Sequence, residues 1–270
     1  MNKNDLLREF FEREKIEYFG TLSYSDCRET MPRLVQNGAF LPKSAIIYLV
    51  PYYGGETVNL SRYAASRDYH IYLKGINSRL SSFLSENFPE CKTAGFGDHS
   101  PIDERDAASA AGLGILGDNG LLINEKHGSY VFVGDMLTDI SPEALGGVSR
   151  AAHLRCEGCG ACKRACPTGI LRGEGADCLS AITQKKGTLT DEECDLMRKY
   201  HTAWGCDLCQ SACPHNRSAK ITPIEFFLED RVLELNENVL SSMSDEEFSS
   251  RAFAWRKRAT VERNVRILGK

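Results

Sequence analysis

Apolar residues along the chain fall into contrasting patterns. Residues 2–17 place Leu6, Leu7, Phe10, Phe11 and Ile16 at near-helical spacing among charges, which predicts an amphipathic helix with one face packed inward. Residues 45–53, AIIYLVPYY, instead run almost unbroken to Gly54-Gly55 and predict a buried strand ended by a turn. Helical period returns over residues 68–88. Residues 101–111 predict another helix, with Ser100 as N-cap, acids in the first turn and Gly112 at its end. The stretch 121–137, LLINEKHGSYVFVGDML, holds two strand-like runs on either side of Glu125 to Gly128 and predicts a β-hairpin. From about Arg155 the chain becomes rich in cysteine and glycine with short helices. Beyond Pro223 the pattern is helical to the end, including residues 245–253. Strands and helices that mix without regular alternation give an α+β fold. Its segments are residues 1–154, a mixed α/β domain; 155–222, a cysteine-rich domain; and 223–270, a helical segment packing back on the body.

Composition narrows the class. No stretch approaches the roughly 18 uninterrupted apolar residues of a membrane helix, so no membrane partner is expected. The first fifteen residues mix acids and bases where a secretory signal would show an apolar core, which predicts a cytoplasmic protein. In that reducing compartment eleven cysteines point to metal rather than disulfides. A net charge of -4 argues against a nucleic-acid binder over the whole surface. One segment departs from this average: Arg251, Arg256, Lys257, Arg258, Arg263, Arg266 and Lys270 face a single acid, Glu262.

Cys156, Cys159, Cys162 and Cys166 followed by Pro167 spell C-x2-C-x2-C-x3-C-P, the bacterial ferredoxin run. Three thiolates at that spacing wrap one cubane, and the fourth reaches a second. Cys206, Cys209 and Cys213, followed by Pro214, form a shortened copy. By the crossing rule Cys213 returns to the first cluster, so Cys166, Cys206 and Cys209 hold the second and lack one thiolate. Cys178 and Cys194 compete for that place. Cys178 is preferred because it follows the first run where the chain must turn back; Cys194 sits in the helical stretch 191–199, where a buried thiol is expected. A zinc site pairs two C-x2-C hooks across a spacer and fits the triple hook poorly. Cys27 and Cys91 are isolated and read as inert thiols.

About 150 residues precede the cysteines, more than an electron carrier needs. Their densest segment runs from Gly97 to Gly134, where glycines at 112, 114, 117 and 120 either admit a bulky cofactor or form a helix cap and turns. Taken together, Arg67-Asp68-Tyr69-His70, Asp98-x-x-Pro101-x-x-Glu104-Arg105, AGLGILGDNGLLI, Gly128-Ser129, the ferredoxin run, Cys178-Leu179-Ser180 and Gly205-Cys206-Asp207-x-Cys209-Gln210-x-x-Cys213-Pro214-x-Asn216 resemble the epoxyqueuosine reductase family, in the same order. Residues 247–269 continue the likeness.

The resemblance implies a cobalamin and two 4Fe-4S clusters sharing one active site in the first two segments. The implied activity is removal of the epoxide oxygen from epoxyqueuosine in tRNA, the last step of queuosine synthesis. It also implies Asp98 as proton donor, Cys178 as the eighth cluster ligand, and cofactor contacts at His70, Asp98, Gly117, Ser129 and Ser180. Asp98 is then expected to be buried against the corrin, since burial would keep it protonated at neutral pH. The implied partners are tRNA and an external low-potential electron donor, with the chain acting as a monomer. Typical members continue into a helical-repeat domain where this sequence ends at Lys270. They also read Ser-Tyr-Leu-Thr-Ile-Glu where this chain has SAITQK, which puts Ala181 and Lys185 near the substrate pocket. The rival readings are a two-cluster electron carrier and a relative of the cobalamin-dependent reductive dehalogenases.

Overall fold

The structure, a computed structural model, describes residues 6–31, 40–149, 151, 152, 154–175 and 177–269. It is α+β, and its contacts divide the chain into two units, residues 1–51 with 70–158 and residues 52–69 with 159–270.

The first unit is built on an antiparallel sheet in the order β1-β2-β6-β3. The strands are β1 (Phe19–Ser23), β2 (Ser44–Pro51), β3 (Thr93–Gly97) and β6 (Val131–Thr138), and a two-residue ribbon pairs β4 (Ile115–Leu116) with β5 (Leu122–Ile123). Every residue of β2 is buried, because both faces of the sheet are covered. Successive side chains of a strand point to opposite faces. Ala45, Ile47 and Leu49 pack in one cluster with Ala107, Ala108 and Ala111 of the α3 region (α3, Glu104–Ala110). Tyr48 points the other way, its ring 5.3 Å from that of Phe11 on α1 (Leu6–Arg13), and its hydroxyl donates to Asn77 Oδ1 of α2 (Tyr69–Asn87) at 2.8 Å. Covering on both sides is why the β2 sequence reads as one apolar run rather than as an alternation. Gly134 lies beneath the Tyr48 ring, where an added Cβ would come within 2.4 Å of it.

Two sequence expectations change here. The segment 121–137 is not a hairpin: β5 pairs with β4, while β6 lies between β2 and β3. Only an isolated bridge joins Asn124 to Gly128. The helix expected over residues 101–111 starts at Glu104, and its N-cap is Asp103, which accepts from the Arg105 and Asp106 amides at 3.2 Å. Ser100 turns inward instead.

The second unit consists of short helices around fully buried Trp204, which packs with Leu60, Ala64, Leu235, Phe248, Phe253, Val261 and others. Contacts within this unit cross the cut expected at 222. Residues 52–69 belong here because the Ser61 amide donates to Trp204 O at 2.7 Å and the Ala203 amide to Asn59 O at 2.7 Å. Residues beyond 222 supply much of the same core, from Val232 through α8 (Glu237–Ser242) and α9 (Asp245–Ser249) to α10 (Arg258–Leu268). Buried side-chain amides tie these segments where no sheet can. Asn264 Nδ2 donates to Thr183 O at 2.7 Å and Ala203 O at 2.8 Å, and Asn59 pairs with both the amide and the carbonyl of Leu235 at 2.8 Å.

Candidate functional site

The cysteines of the ferredoxin runs sit on tight turns and very short helices. Cys156 lies two residues before the end of the first unit, and its Sγ accepts the Asp118 amide at 3.3 Å. Exposed Cys159 precedes α4 (Ala161–Ala165), which carries buried Cys162 and starts at Gly160 in the left-handed region, φ 72°. Cys166 follows it. Burial raises the Cys166 thiol, but amides of Leu171, Thr168 and Gly169 and the Thr168 hydroxyl outweigh that and hold it below its ordinary value. Amides aimed at sulfur favour a thiolate and, in clusters, tune the potential.

In the second run, Gly205 at φ 70° leaves no room for a Cβ, which would stand 2.5 Å from Ser61 Cβ. Asp207 clamps the loop: it accepts from the Ser61 hydroxyl, from the Arg62 amide at 2.7 Å and from Arg62 Nη1 at 3.1 Å. Cys209 lies on α7 (Leu208–Ser211), which packs against α4, and buried Cys213 precedes Pro214. Cys206 is the most perturbed of the set. Burial pushes its thiol up to about 12, and the neighbouring Cys178 and Cys209 add to the shift. Cys178, the N-cap residue of α5 (Leu179–Thr183), therefore stands within electrostatic reach of Cys206. Cys194, on α6 (Asp191–Lys199), packs against the Leu179, Ile182, Leu189 and Met197 cluster, as Cys206 does, but it is not among the thiols that act on Cys206. Thiolates gathered in this way repel one another, and bound iron offsets the repulsion. Among the described residues no group of three His, Cys, Asp or Glu side chains is arranged to hold a single metal ion. A cubane asks for wider spacing, since each thiolate takes its own iron at a corner.

Asp98 follows β3 on a turn, with φ at 72°. Its side chain is 65% exposed, and His70 Nε2 at the start of α2 lies 3.7 Å from its Oδ2. The expected burial of Asp98 is thus absent from the chain itself; burial acts on the carboxyls beneath. Glu104 Oε1 accepts the Asp98 amide at 2.8 Å, and burial, then the charge of Asp135, pushes Glu104 up to about 8. Asp135 is wholly buried, which lifts it to about 7 against an opposing hydrogen bond from the Ser100 hydroxyl at 3.0 Å. Its Oδ1 has no hydrogen-bond partner among the described residues. Glu104 entered the sequence reading only as part of the Asp98-x-x-Pro101-x-x-Glu104 motif, and Asp135 not at all, although a lone acid within the apolar run VFVGDML is a visible anomaly.

The other expected contacts also take part in local structure. The Gly117 amide donates to Leu121 O at 2.8 Å and its carbonyl accepts the Gly120 amide at 2.9 Å, so these glycines build turns. Ser129 is buried after Gly128, whose φ is 57°. Ser180, on α5 in the second unit, accepts from Gln184 Nε2 at 3.0 Å. Lys185 pairs with Asp177 at 2.7 Å and with Glu193. The basic segment is largely spent internally. Arg251 donates to Asp230 O, Arg258 to Leu240 O at 2.7 Å and Met243 O at 3.1 Å, and Arg263 to Lys185 O at 2.8 Å. Lys257 is exposed near Trp255, which is 55% exposed with the Arg256 guanidinium 3.8 Å from its ring centre, and Arg266 is exposed on α10, where its Nε donates to Glu262 O at 3.3 Å.

Comparison with known proteins follows the same outline. Residues 155–216 match the family model described as a 4Fe-4S double cluster binding domain. An epoxyqueuosine reductase of Leadbetterella byssophila is 31% identical over 242 residues, covering 86% of this chain and 75% of that protein. The chain belongs to the epoxyqueuosine reductase family. The Listeria monocytogenes member is 32% identical over 74% of this chain and the Escherichia coli member 33% over 70%. The chain spans about half the length of these two relatives, 54% and 50%. The fold is shared with the epoxyqueuosine reductase of Streptococcus thermophilus, with a TM-score of 0.79 at 21% identity over 99% of this chain and 81% of that one. It is shared too with one solved with an epoxyqueuosine-modified tRNA stem loop, with a TM-score of 0.76 at 22% identity over 99% and 81%. A Bacillus subtilis member, with a TM-score of 0.76 at 22% identity over 99% and 82%, was solved with its aspartate-bearing catalytic loop swung out of the active site. Among the described residues no helix is long and apolar enough to cross a membrane.

Proposed function

We propose that this chain reduces epoxyqueuosine to queuosine in tRNA, using two 4Fe-4S clusters and cobalamin. The observation that carries the reading is the coexistence, in one member of this family, of eight suitably spaced cysteines with an accessible carboxylate beside an imidazole, Asp98 and His70. Cys156, Cys159, Cys162 and Cys213 hold one cluster; Cys166, Cys178, Cys206 and Cys209 hold the other. The donor chemistry fits: the Cys166 thiol is already held down by amides, and Cys178 lies near Cys206.

Converting an epoxide to an alkene takes two electrons and two protons and releases the oxygen as water. When bound, the clusters supply electrons singly and cobalamin supplies the metal centre through which they reach the substrate. His70 and Asp98 are the residues that would face the corrin, and both side chains are more than half exposed, at 51% and 65%, as an approaching planar group requires. Gly117, Ser129 and Ser180 complete the assignment carried by the family motifs. Asp98 delivers a proton to the departing oxygen, and His70, 3.7 Å away, steadies the carboxyl or returns its proton. The catalytic aspartate loop of the Bacillus subtilis relative supports this role for the Asp98 turn.

Since Arg251, Arg258 and Arg263 are engaged within the protein, RNA contact falls to Lys257, Arg266 and the Trp255–Arg256 stack, an aromatic face and a cation of the kind that nucleobases and phosphates use. A low-potential donor is needed to reload the clusters.

The test is anaerobic reconstitution with iron, sulfide and cobalamin, followed by assays on epoxyqueuosine tRNA and on the free nucleoside. A corrin absorption band that stays with the protein through gel filtration, together with queuosine in the tRNA, is the expected result. Loss of the band leaves a two-cluster electron carrier, and turnover of the nucleoside alone removes tRNA as substrate.

A further inference from the structure

The turn that carries Asp98 is held from below by acids rather than by bases. Asp98 has a left-handed backbone, φ 72°, a conformation costly for most side chains and tolerated best by Asn and Asp. What secures it is side-chain chemistry on two neighbouring elements. From α3, Glu104 Oε1 takes the Asp98 amide at 2.8 Å. From β6, Asp135 Oδ2 takes the Ser100 hydroxyl at 3.0 Å, while Ser100 Oγ accepts the Ile102 amide at 3.3 Å. The turn is thus fastened at its first residue and again two residues on.

We propose that Glu104 is a positioning residue for Asp98: protonated, its carboxyl accepts the Asp98 backbone N–H and holds the turn that presents the Asp98 side chain, and on ionising it releases that turn. The inference rests on the reading of Asp98 as proton donor and adds to it how that donor is kept in place.

The charges around Glu104 set the direction. Asp135 faces it from β6, Asp98 from the turn, Asp103 from the N-cap of its own helix, and Tyr48 interacts with it from β2. His70 of α2 stands on the far side of Asp98, 3.7 Å from its carboxylate. The nearby guanidiniums are committed elsewhere: Arg28 pairs with Asp103, and Arg105 donates to Gly120 O at 2.7 Å. A negative charge on Glu104 therefore meets a buried acid with an unpartnered oxygen on one side and the Asp98 carboxylate on the other. The Asp98 amide favours that charge, but burial and the acids outweigh it and lift Glu104 to about 8. Below that pH the neutral carboxyl keeps the amide bond without repulsion. Above it, moving the turn away gives up the amide bond but lets water reach the charged carboxylate, which relieves burial, the largest unfavourable effect, along with the weaker repulsion from Asp98.

Gln is the isostere of the neutral carboxyl, since its amide oxygen accepts the same N–H and never ionises. The experiment is hydrogen–deuterium exchange of the peptide spanning residues 97–104 in the cluster-loaded protein from pH 6 to pH 9, corrected for intrinsic base catalysis. Wild type should lose about tenfold or more in protection at the Asp98 amide as pH passes through about 8. E104Q should stay protected throughout, and E104A should be unprotected at every pH. A wild-type profile flat in pH overturns the proposal, as does an E104Q variant that loosens with pH as wild type does. The readout needs no turnover, so failure of the proposed reaction appears separately, as wild type that makes no queuosine.

Discussion

The two units hold themselves together by different means. The first closes a four-stranded antiparallel sheet between helices, and its buried β2 and the Ala-rich face of α3 make a continuous apolar core. The second has only short helices and draws its order from Trp204, from side-chain amides such as Asn264 and Asn59, and from arginines that donate to carbonyls. The difference separates two kinds of dependence. A sheet core forms without a cofactor, so it places Glu104 and Asp135, whose hydrogen bonds hold the Asp98 turn, without help from iron. Loops that gather thiols repel one another until metal is bound, so the cysteine region takes part of its stability from its clusters.

The largest expected effect is therefore loss of iron. Chelation of the reconstituted protein should remove exchange protection from residues 159–216 while leaving β2 and β6 protected; equal loss in both would break the contrast. On the same logic, Cys178→Ala should lower bound iron from about eight to about four per chain, whereas Cys194→Ala should leave it unchanged, as iron analysis will show.

Next in size is Trp204→Ala, which opens a cavity in a fully buried core and should cost about 3–5 kcal/mol in denaturant titration. Tyr48→Phe keeps the ring against Phe11 but strips Asn77 Oδ1 of its donor, at about 1–3 kcal/mol. A cost for Tyr48→Phe matching that for Trp204→Ala would erase the distinction between packing and pairing.

Asp135 sharpens the contrast through pH. Its folded value, about 7, lies above the ordinary carboxylate value of 3.8, so the folded state binds the proton more tightly than the unfolded one. The associated stability is complete below pH 3.8 and is lost as pH rises through about 7. Asp135→Asn should flatten the fall in melting temperature between pH 5 and pH 8, and an unaltered slope would show that another group causes it.

The smallest effect is expected at the surface. Trp255→Ala should leave stability within about 0.5 kcal/mol and weaken binding of a tRNA stem loop about five- to tenfold, measured by fluorescence anisotropy. Unchanged affinity would take the exposed stack out of RNA recognition.

Much of this was legible in the sequence where one chemical signal dominates. The apolar run of β2 and the helices α2 and α6 lie where the patterns put them, within a residue or two at their ends, and the ferredoxin runs coincide with the double-cluster match over residues 155–216. The hairpin expectation failed because adjacency in sequence says nothing of the long-range pairing of β6 with β2 and β3. Ser100 was misread as a cap because its hydroxyl has a better partner, buried Asp135, brought to it by the sheet. The exposure of Asp98, the acids beneath it and the internal use of Arg251, Arg258 and Arg263 depend on tertiary neighbours that local patterns do not encode.

The account turns on Asp98 serving reduction of epoxyqueuosine in a chain loaded with both clusters and cobalamin. Anaerobic turnover of an epoxyqueuosine-modified tRNA stem loop, with wild type beside D98N and queuosine quantified by mass spectrometry, tests this most directly. Wild type should form queuosine and D98N should be slower by about a hundredfold or more. Equal rates for the two proteins, or no queuosine from wild type, would contradict it.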